Sequence, residues 1–228
     1  MTDMILFGIF PYVAVALAIT VGLYRFYVDR YSYSSHSSQF LESRMLFWGS
    51  VPWHYAILLI LLAHLLAFLI PSGMGALLGS SFRLVFLEVT GFALGICAII
   101  AVLILIFRRV SDARVNAVTT AIDWLLLAGL LLQVATGVYI AFTLRWGSVW
   151  YMHTATPWLW SLVKFNPQVE YLAKLPWVAQ LHAFNAFLLV ALFPFSRLVH
   201  VISVPLKYLW RPYQVVIWYR QKSRMREN

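Results

Sequence analysis

PWHYAILLILLAHLLAFLIP, residues 52–71, is the stretch whose reading decides the fold. About twenty mostly apolar residues suffice to cross the hydrocarbon of a bilayer, and this run has that length. Yet it carries His54 and His64, whose ring nitrogens lipid cannot solvate. Leaving one such imidazole unpaired in hydrocarbon costs roughly 2–7 kcal/mol. A second run, LHAFNAFLLVALFPFSRLVH (residues 181–200), poses the same problem with His182 and His200. Both runs need partners for their rings.

The rest of the composition agrees with a chain made for lipid. Of 228 residues, 62% are hydrophobic and 11% charged, against about a quarter charged in a soluble domain. The aromatic share of 17% suits Trp and Tyr gathered at bilayer interfaces. A net charge of +9 would fit a nucleic-acid partner if it formed one patch, but the basic residues lie in the gaps between apolar runs. The start, MTDMILFGIF, has neither a basic leading segment nor a small-residue cleavage site and reads as a retained span. The single cysteine, Cys97, excludes an intrachain disulfide, a Cys-held iron–sulfur cluster and a covalently attached haem.

Five segments are long and apolar enough to span: about residues 5–24, 47–70, 84–107, 118–142 and 179–204. The expected fold is therefore all-α, an integral membrane bundle of five transmembrane helices over residues 1–206, with a basic tail at 207–228. Pro11 falls near the start of the first span, where a proline disturbs a helix least. Pro71-Ser72-Gly73 ends the second. The connection at 143–177 holds Trp146, Trp150, Trp158, Trp160 and Trp177, a density that suggests short helices lying along the membrane surface.

Lys and Arg set the orientation. One side has Arg25, Arg30 and Arg44, then Arg108, Arg109 and Arg114, then Lys207, Arg211, Arg220, Lys222, Arg224 and Arg226. The other has only Arg83, Arg145, Lys164 and Lys174, with Arg197 inside span five. The positive-inside rule then places the N-terminus outside and the C-terminus in the cytoplasm.

With that orientation the histidine depths match, His54 with His200 near the inner face and His64 with His182 near the outer. A six-coordinate b-type haem takes two imidazoles facing each other across its plane, so the arrangement suits two haems, with all four rings satisfied. If span five is one helix, its two histidines share a face after five turns, while His54 and His64 stand about 80° apart. The axial separations then differ, ~15 Å on span two and ~27 Å on span five, and tilt with a kink at Pro194 has to absorb the difference. A haem-free anchor or transporter using the histidines as a proton relay is the other class of reading. His36 and His153 fall in polar connections and read as surface residues. Cys97 reads as an inert core residue, and Met45 and Met152 lie near span ends with no axial position left to fill.

The chain resembles the cytochrome b (gamma) subunit of membrane-bound respiratory nitrate reductase. The resemblance rests on His54 and His64, ten residues apart on the second of five spans, and on LHAFNAFLLVALFPFSRLVHVISVPLKYLWRPYQ at 181–214. Further matches are FGIFPYVAVA at 7–16, SSQFL at 37–41 and RRVSDARVNAVTTAID at 108–123. The match covers nearly the whole chain and is weakest over 143–177. It implies two haem b groups, one on His54 and His200 near the cytoplasm and one on His64 and His182. It implies quinol oxidation beside the outer haem, drawing on the membrane quinone pool in a prokaryotic cell membrane. Electrons would pass to iron–sulfur clusters of a cytoplasmic beta subunit and a molybdenum site in an alpha subunit, so the chain would not itself reduce nitrate. The tail from Lys207 and the connection from Arg25 to Arg44 would dock that soluble pair.

Members of the family often carry a lysine near the outer start of span three, where this chain reads SFRLVFLEV (81–89). Arg83 is the nearest cation and is a candidate quinol-site donor or an interfacial anchor. Arg108, Arg109, Arg114 and Arg197 are candidates for the haem propionates or for lipid headgroups. Asp123, one turn inside span four, either reaches to the interface or pairs with one of these arginines. Relatives that serve nitrite oxidation, or a heterodisulfide-reductase-like or sulfite-reducing module, would share the haem ligands.

Overall fold

The structure is a computed structural model that describes residues 1–28 and 40–202. His36, Arg30 and the tail from Lys207 onward lie outside the described residues. Within them every regular element is a helix. A π-helical turn, Met4–Ile9, runs into α1, Phe10–Val28. Pro11 has no N–H to give the Phe7 carbonyl one turn back, and the Trp158 indole donates to that oxygen at 2.9 Å instead.

Helix α2 spans Arg44–Leu69, with Pro52 inside it. Its first amides would otherwise lack acceptors; the Glu42 carboxylate takes those of Met45 (2.8 Å) and Leu46 (3.2 Å). A short α3, Pro71–Leu78, starts on the proline expected to end the span, since Pro is tolerated in a first helical turn. Then come α4, Ser81–Ser111, and α5, Ala113–Ala117, the latter capped by Asp112. Helix α6, Ala121–Thr143, opens with a reciprocal cap: Thr120 accepts from the Asp123 amide and Asp123 accepts from the Thr120 amide. The tryptophan-rich connection holds α7, Gly147–His153, α8, Ala155–Val163, and α9, Glu170–Ala173. Helix α10 is Trp177–Leu192.

Five helical stretches are long and apolar enough to cross a membrane: Met4–Val28, Arg44–Leu69, Ser81–Ser111, Ala121–Thr143 and Trp177–Phe195. These are the five spans read from the sequence. They pack as a row, α2 on α4, α4 on α6, α6 on α10 and α10 on α1. Small residues bring α2 close to α4: Ala56, Ala98 and Ala101 are buried there, and a Cβ on Gly49 would meet Leu105 at 2.7 Å. The main packing partners of the histidine helices are α4 for α2 and α6 and α1 for α10.

Two expectations change. Trp158 and Trp160 face inward and tie helices together, since the Trp160 indole donates to the Phe68 carbonyl at 3.0 Å near the end of α2 and Trp158 is only 2% exposed. Trp146 and Trp177 remain exposed. The larger change is in span five, which is not one helix to residue 204. Helix α10 stops at Leu192, and a 3-10 turn, Phe193–Phe195, follows. Ser196 is extended, and a second 3-10 turn, Arg197–Val201, carries His200. Pro194 explains the break, because its ring and missing N–H end the α-helical ladder. His182 and His200 therefore sit on different elements, and the ~27 Å helical spacing between them does not apply.

Candidate metal centres

His54 lies in the third turn of α2, and the turn after Pro194 swings His200 up to it. Their ring centroids are 5.8 Å apart with planes inclined at 69°. A metal between two imidazoles holds each donor nitrogen about 2 Å away, which with the ring radii puts the centroids roughly 6 Å apart. Each ring is also held from behind. Nδ1 of His54 donates to the Ser50 carbonyl at 2.6 Å, and Nδ1 of His200 to the Arg197 carbonyl at 2.6 Å. That leaves each Nε2 with its lone pair, the form a metal ligand needs.

His64 and His182 are held differently, and His64 is exposed. His64 donates Nδ1–H to the Ile60 carbonyl at 2.8 Å, and its ring stands edge-on to Tyr151 of α7 at 5.3 Å. Burial pushes the Tyr151 phenol up to about 12, so it is neutral at any physiological pH. His182 meets α6: Nδ1 is 3.0 Å from the Thr136 hydroxyl and Nε2 is 3.1 Å from the Gln133 amide nitrogen. Asn185, 1% exposed, donates to the Gly129 carbonyl at 2.9 Å and to Gln133 Oε1 at 2.7 Å. Among the described residues no three His, Cys, Asp or Glu side chains converge.

The arginines singled out in the sequence go to distinct places. Arg108 is fully buried and pairs through Nε with Glu42 Oε2 at 2.7 Å. Burial presses the Glu42 carboxyl upward, but the Met45 amide, Arg108 and the Leu46 amide outweigh it and hold the group below the usual carboxylate value. Arg197 forms a two-pronged pair with Asp123, 2.8 and 3.1 Å, so Asp123 serves an arginine rather than the interface. Arg114 is exposed and paired with Asp112 at 3.0 Å. Arg109 is in no ion pair among the described residues; its guanidinium makes one long contact, 3.4 Å, to the Leu105 carbonyl. Arg83 donates to the Leu77 and Ala76 carbonyls at 2.6 and 3.3 Å, closing the end of α3. His153 is exposed, and Cys97 packs beside the α2–α4 core.

Thr136, Gly137, Asn185 and Tyr151 form part of the site without having been singled out in the sequence. The available signal was spacing: Gln133 and Thr136 are three apart on one face of an otherwise apolar span, and so are His182 and Asn185.

Five helices long and apolar enough to cross a membrane describe a multi-pass membrane protein. The chain belongs to the nitrate reductase gamma subunit family, whose pattern it matches over residues 3–219. It is 34% identical over 226 residues to the nitrate reductase gamma chain of Bacillus subtilis (strain 168), covering 98% of this chain and 100% of that one. It is 33% identical over 217 residues to the respiratory nitrate reductase 1 gamma chain of Escherichia coli (strain K12), covering 94% and 96%. A shorter likeness, 26% identical over 125 residues, is to one chain of the dihydromethanophenazine:CoB–CoM heterodisulfide reductase of Methanosarcina barkeri (strain Fusaro / DSM 804). It covers 54% of this chain and 41% of that one.

Proposed function

We propose that this chain is the dihaem b cytochrome subunit of a membrane nitrate reductase. It would carry electrons between a membrane quinol and a cytoplasmic pair, an iron–sulfur beta subunit and a molybdenum alpha subunit. Family membership and two relatives aligned over nearly their full length support the nitrate reductase part. One observation supports the cofactor: the His54 and His200 ring centroids lie 5.8 Å apart, each ring with Nδ1 tied to a carbonyl.

A b haem bound there supplies reversible one-electron storage at its iron. His54 and His200 would hold one haem, and His64 and His182 the other. The carbonyls of Ser50, Ile60 and Arg197 take the Nδ1–H of His54, His64 and His200 and leave each Nε2 with its lone pair. Arg108, Arg109, Arg114 and Arg197 remain the propionate candidates, and Arg109 is favoured because the other three already hold carboxylates.

The asymmetry of Lys and Arg supports an outside N-terminus and a cytoplasmic C-terminus in a prokaryotic cell membrane. The membrane domain is then 1–206, with the basic tail 207–228 and the connection around Arg25 to Arg44 docking the soluble subunits. Arg83 closing α3 favours its anchoring role over a quinol role, and Arg83→Ala should leave the quinol requirement unchanged. A heterodisulfide-reductase-like electron carrier is the second reading, favoured only by the partial match to the Methanosarcina chain.

A reduced-minus-oxidised spectrum of membranes containing the chain tests the proposal. Bis-imidazole b bands and two haems per chain by pyridine haemochrome are expected. Their absence would leave a haem-free anchor or relay.

A further inference from the structure

The connection between α6 and α10 cradles an open cavity of about 440 Å³ beside Pro71, just past the end of α2. That volume lies within the roughly 300–1,000 Å³ of small-ligand sites. We propose that it holds the headgroup of an anionic membrane phospholipid, its phosphate gripped by Lys164 and the amides beside it. The proposal needs a membrane-spanning chain and no haem, so it stands apart from the histidines.

The lining is of two kinds. Trp160 and Pro71 bring apolar surface, whereas Lys164, Asn166, Gln168 and Tyr171 bring polar ends. Among the described residues no hydrogen bond or ion pair occupies those four side chains. An ammonium, two amides and a phenol supply donors enough for the oxygens of one phosphate. Lys164 is also the only charged residue of the lining. A zwitterionic headgroup would find no carboxylate there for its own ammonium, so a headgroup of net negative charge fits better.

The site is built before anything enters it. Trp160 stacks on Phe68 at 5.0 Å. The buried Ser161 hydroxyl donates to the Trp158 carbonyl at 2.6 Å and accepts the Gln168 backbone amide at 2.9 Å. The Asn166 backbone amide reaches the Ser161 carbonyl at 3.0 Å. Between them Phe165 holds a φ of 57°, a left-handed conformation uncommon for a bulky residue, and its ring stacks on Tyr12 at 5.7 Å. Such strain persists only where the surroundings over-determine it. Here it lets residues on both sides of Phe165 line one cavity.

Position selects a lipid over a soluble anion. Helix α2 stops at Leu69, α10 starts at Trp177, and Trp158 of α8 bonds the Phe7 carbonyl near the start of span one. The cavity thus lies where three spans end, which is headgroup depth. Val163 and Phe165, 55% and 83% exposed, flank Lys164 and offer acyl chains an apolar surface.

The test is native mass spectrometry of the full chain, delipidated in detergent and titrated with phosphatidylglycerol or phosphatidylethanolamine. The parent should bind a first phosphatidylglycerol in preference to phosphatidylethanolamine. Lys164→Gln should weaken that step about five-fold, the worth of one basic residue beside an anionic lipid. Gln168→Glu, which sets a carboxylate in the lining, should weaken it at least as much. Lys174→Gln is the control, since Lys174 is exposed on the same connection but outside the cavity, and it should bind as the parent does. Unchanged binding in both lining variants, or an equal loss in Lys174→Gln, overturns the proposal. So does equal binding of the two lipids. Displacement of the lipid by millimolar inorganic phosphate would make the occupant a soluble anion and overturn it too.

Discussion

The two histidine levels proposed above hold the same residue type by different means. At the first, His54 and His200 are each fixed by a carbonyl of their own segment, and a helix break brings them into ring contact. At the second, His182 depends on α6 and His64 leans on a tyrosine from the connection. The first level is thus set by local chain geometry and the second by how separate helices pack. Local geometry tolerates distant change, whereas interhelical packing transmits it.

The sharpest way to break this comparison is to remove the rings. His54→Ala and His200→Ala should each cost one haem per chain, and the same one, with identical losses in the difference spectrum. His64→Ala and His182→Ala should share the other loss and stop quinol-driven nitrate reduction while a soluble dye donor still drives it. If His54→Ala and His64→Ala removed the same spectral component, the two-level arrangement would be false.

The next effect concerns what holds the first level to its neighbours. Asp123 is nearly buried and pairs with Arg197, whose carbonyl holds His200. Asp123→Asn leaves that guanidinium without its counter-charge. For a fully buried pair the cost is roughly 3–5 kcal/mol; Arg197 is 30% exposed, so about 2–3 kcal/mol is expected, read as a lower unfolding temperature in detergent. The His54/His200 signal should broaden before the other does. Equal broadening of both would mean that the levels are not independent.

Trp158→Phe probes the opposite end at a smaller scale. Phenylalanine keeps most of the packing against Phe7 and Phe187 but removes the donor that replaces the missing Pro11 amide. A buried carbonyl left unmet costs about 1–3 kcal/mol. Thermal melts should show a loss in that range, with the His54/His200 centre unaffected.

These differences also mark what the chain discloses before it folds. The spans were legible because hydrocarbon admits few alternatives: each must be apolar, about twenty residues long and internally hydrogen-bonded. The nearness of His54 to His200 was legible from depth alone, although its geometry was not. Continuing span five through Pro194 put ~27 Å between two histidines, and only the break at Leu192 brings His200 to His54. The socket around His182 was hidden for another reason. Thr136, Gln133 and Asn185 are ordinary polar residues, and nothing local says that α6 packs on α10 rather than on α2. Trp158 misled because interfacial anchoring is the commoner use of tryptophan, and the orphan carbonyl that it serves lies 151 residues away.

Glu42 supplies the smallest effect and the one that separates the levels by pH. Its carboxylate caps α2, which carries His54, and grips Arg108 at the end of α4. Its folded value lies below the ordinary one of about 4.3. The cap's contribution is therefore complete above that ordinary value and is lost as pH falls through the lower, folded one. Asp112 is depressed as well, chiefly by Arg114, so the parent chain alone would mix two groups. The difference between parent and Glu42→Gln isolates one, since glutamine keeps an oxygen for the Met45 amide but cannot ionise. That difference in melting temperature should be level from about pH 5 upward and should shrink as pH drops below about 4.3. The His54/His200 absorbance should follow it while the His64/His182 absorbance does not. A pH-independent difference would mean that Glu42 acts as a spacer, and the first level would then owe its position to Arg108 alone.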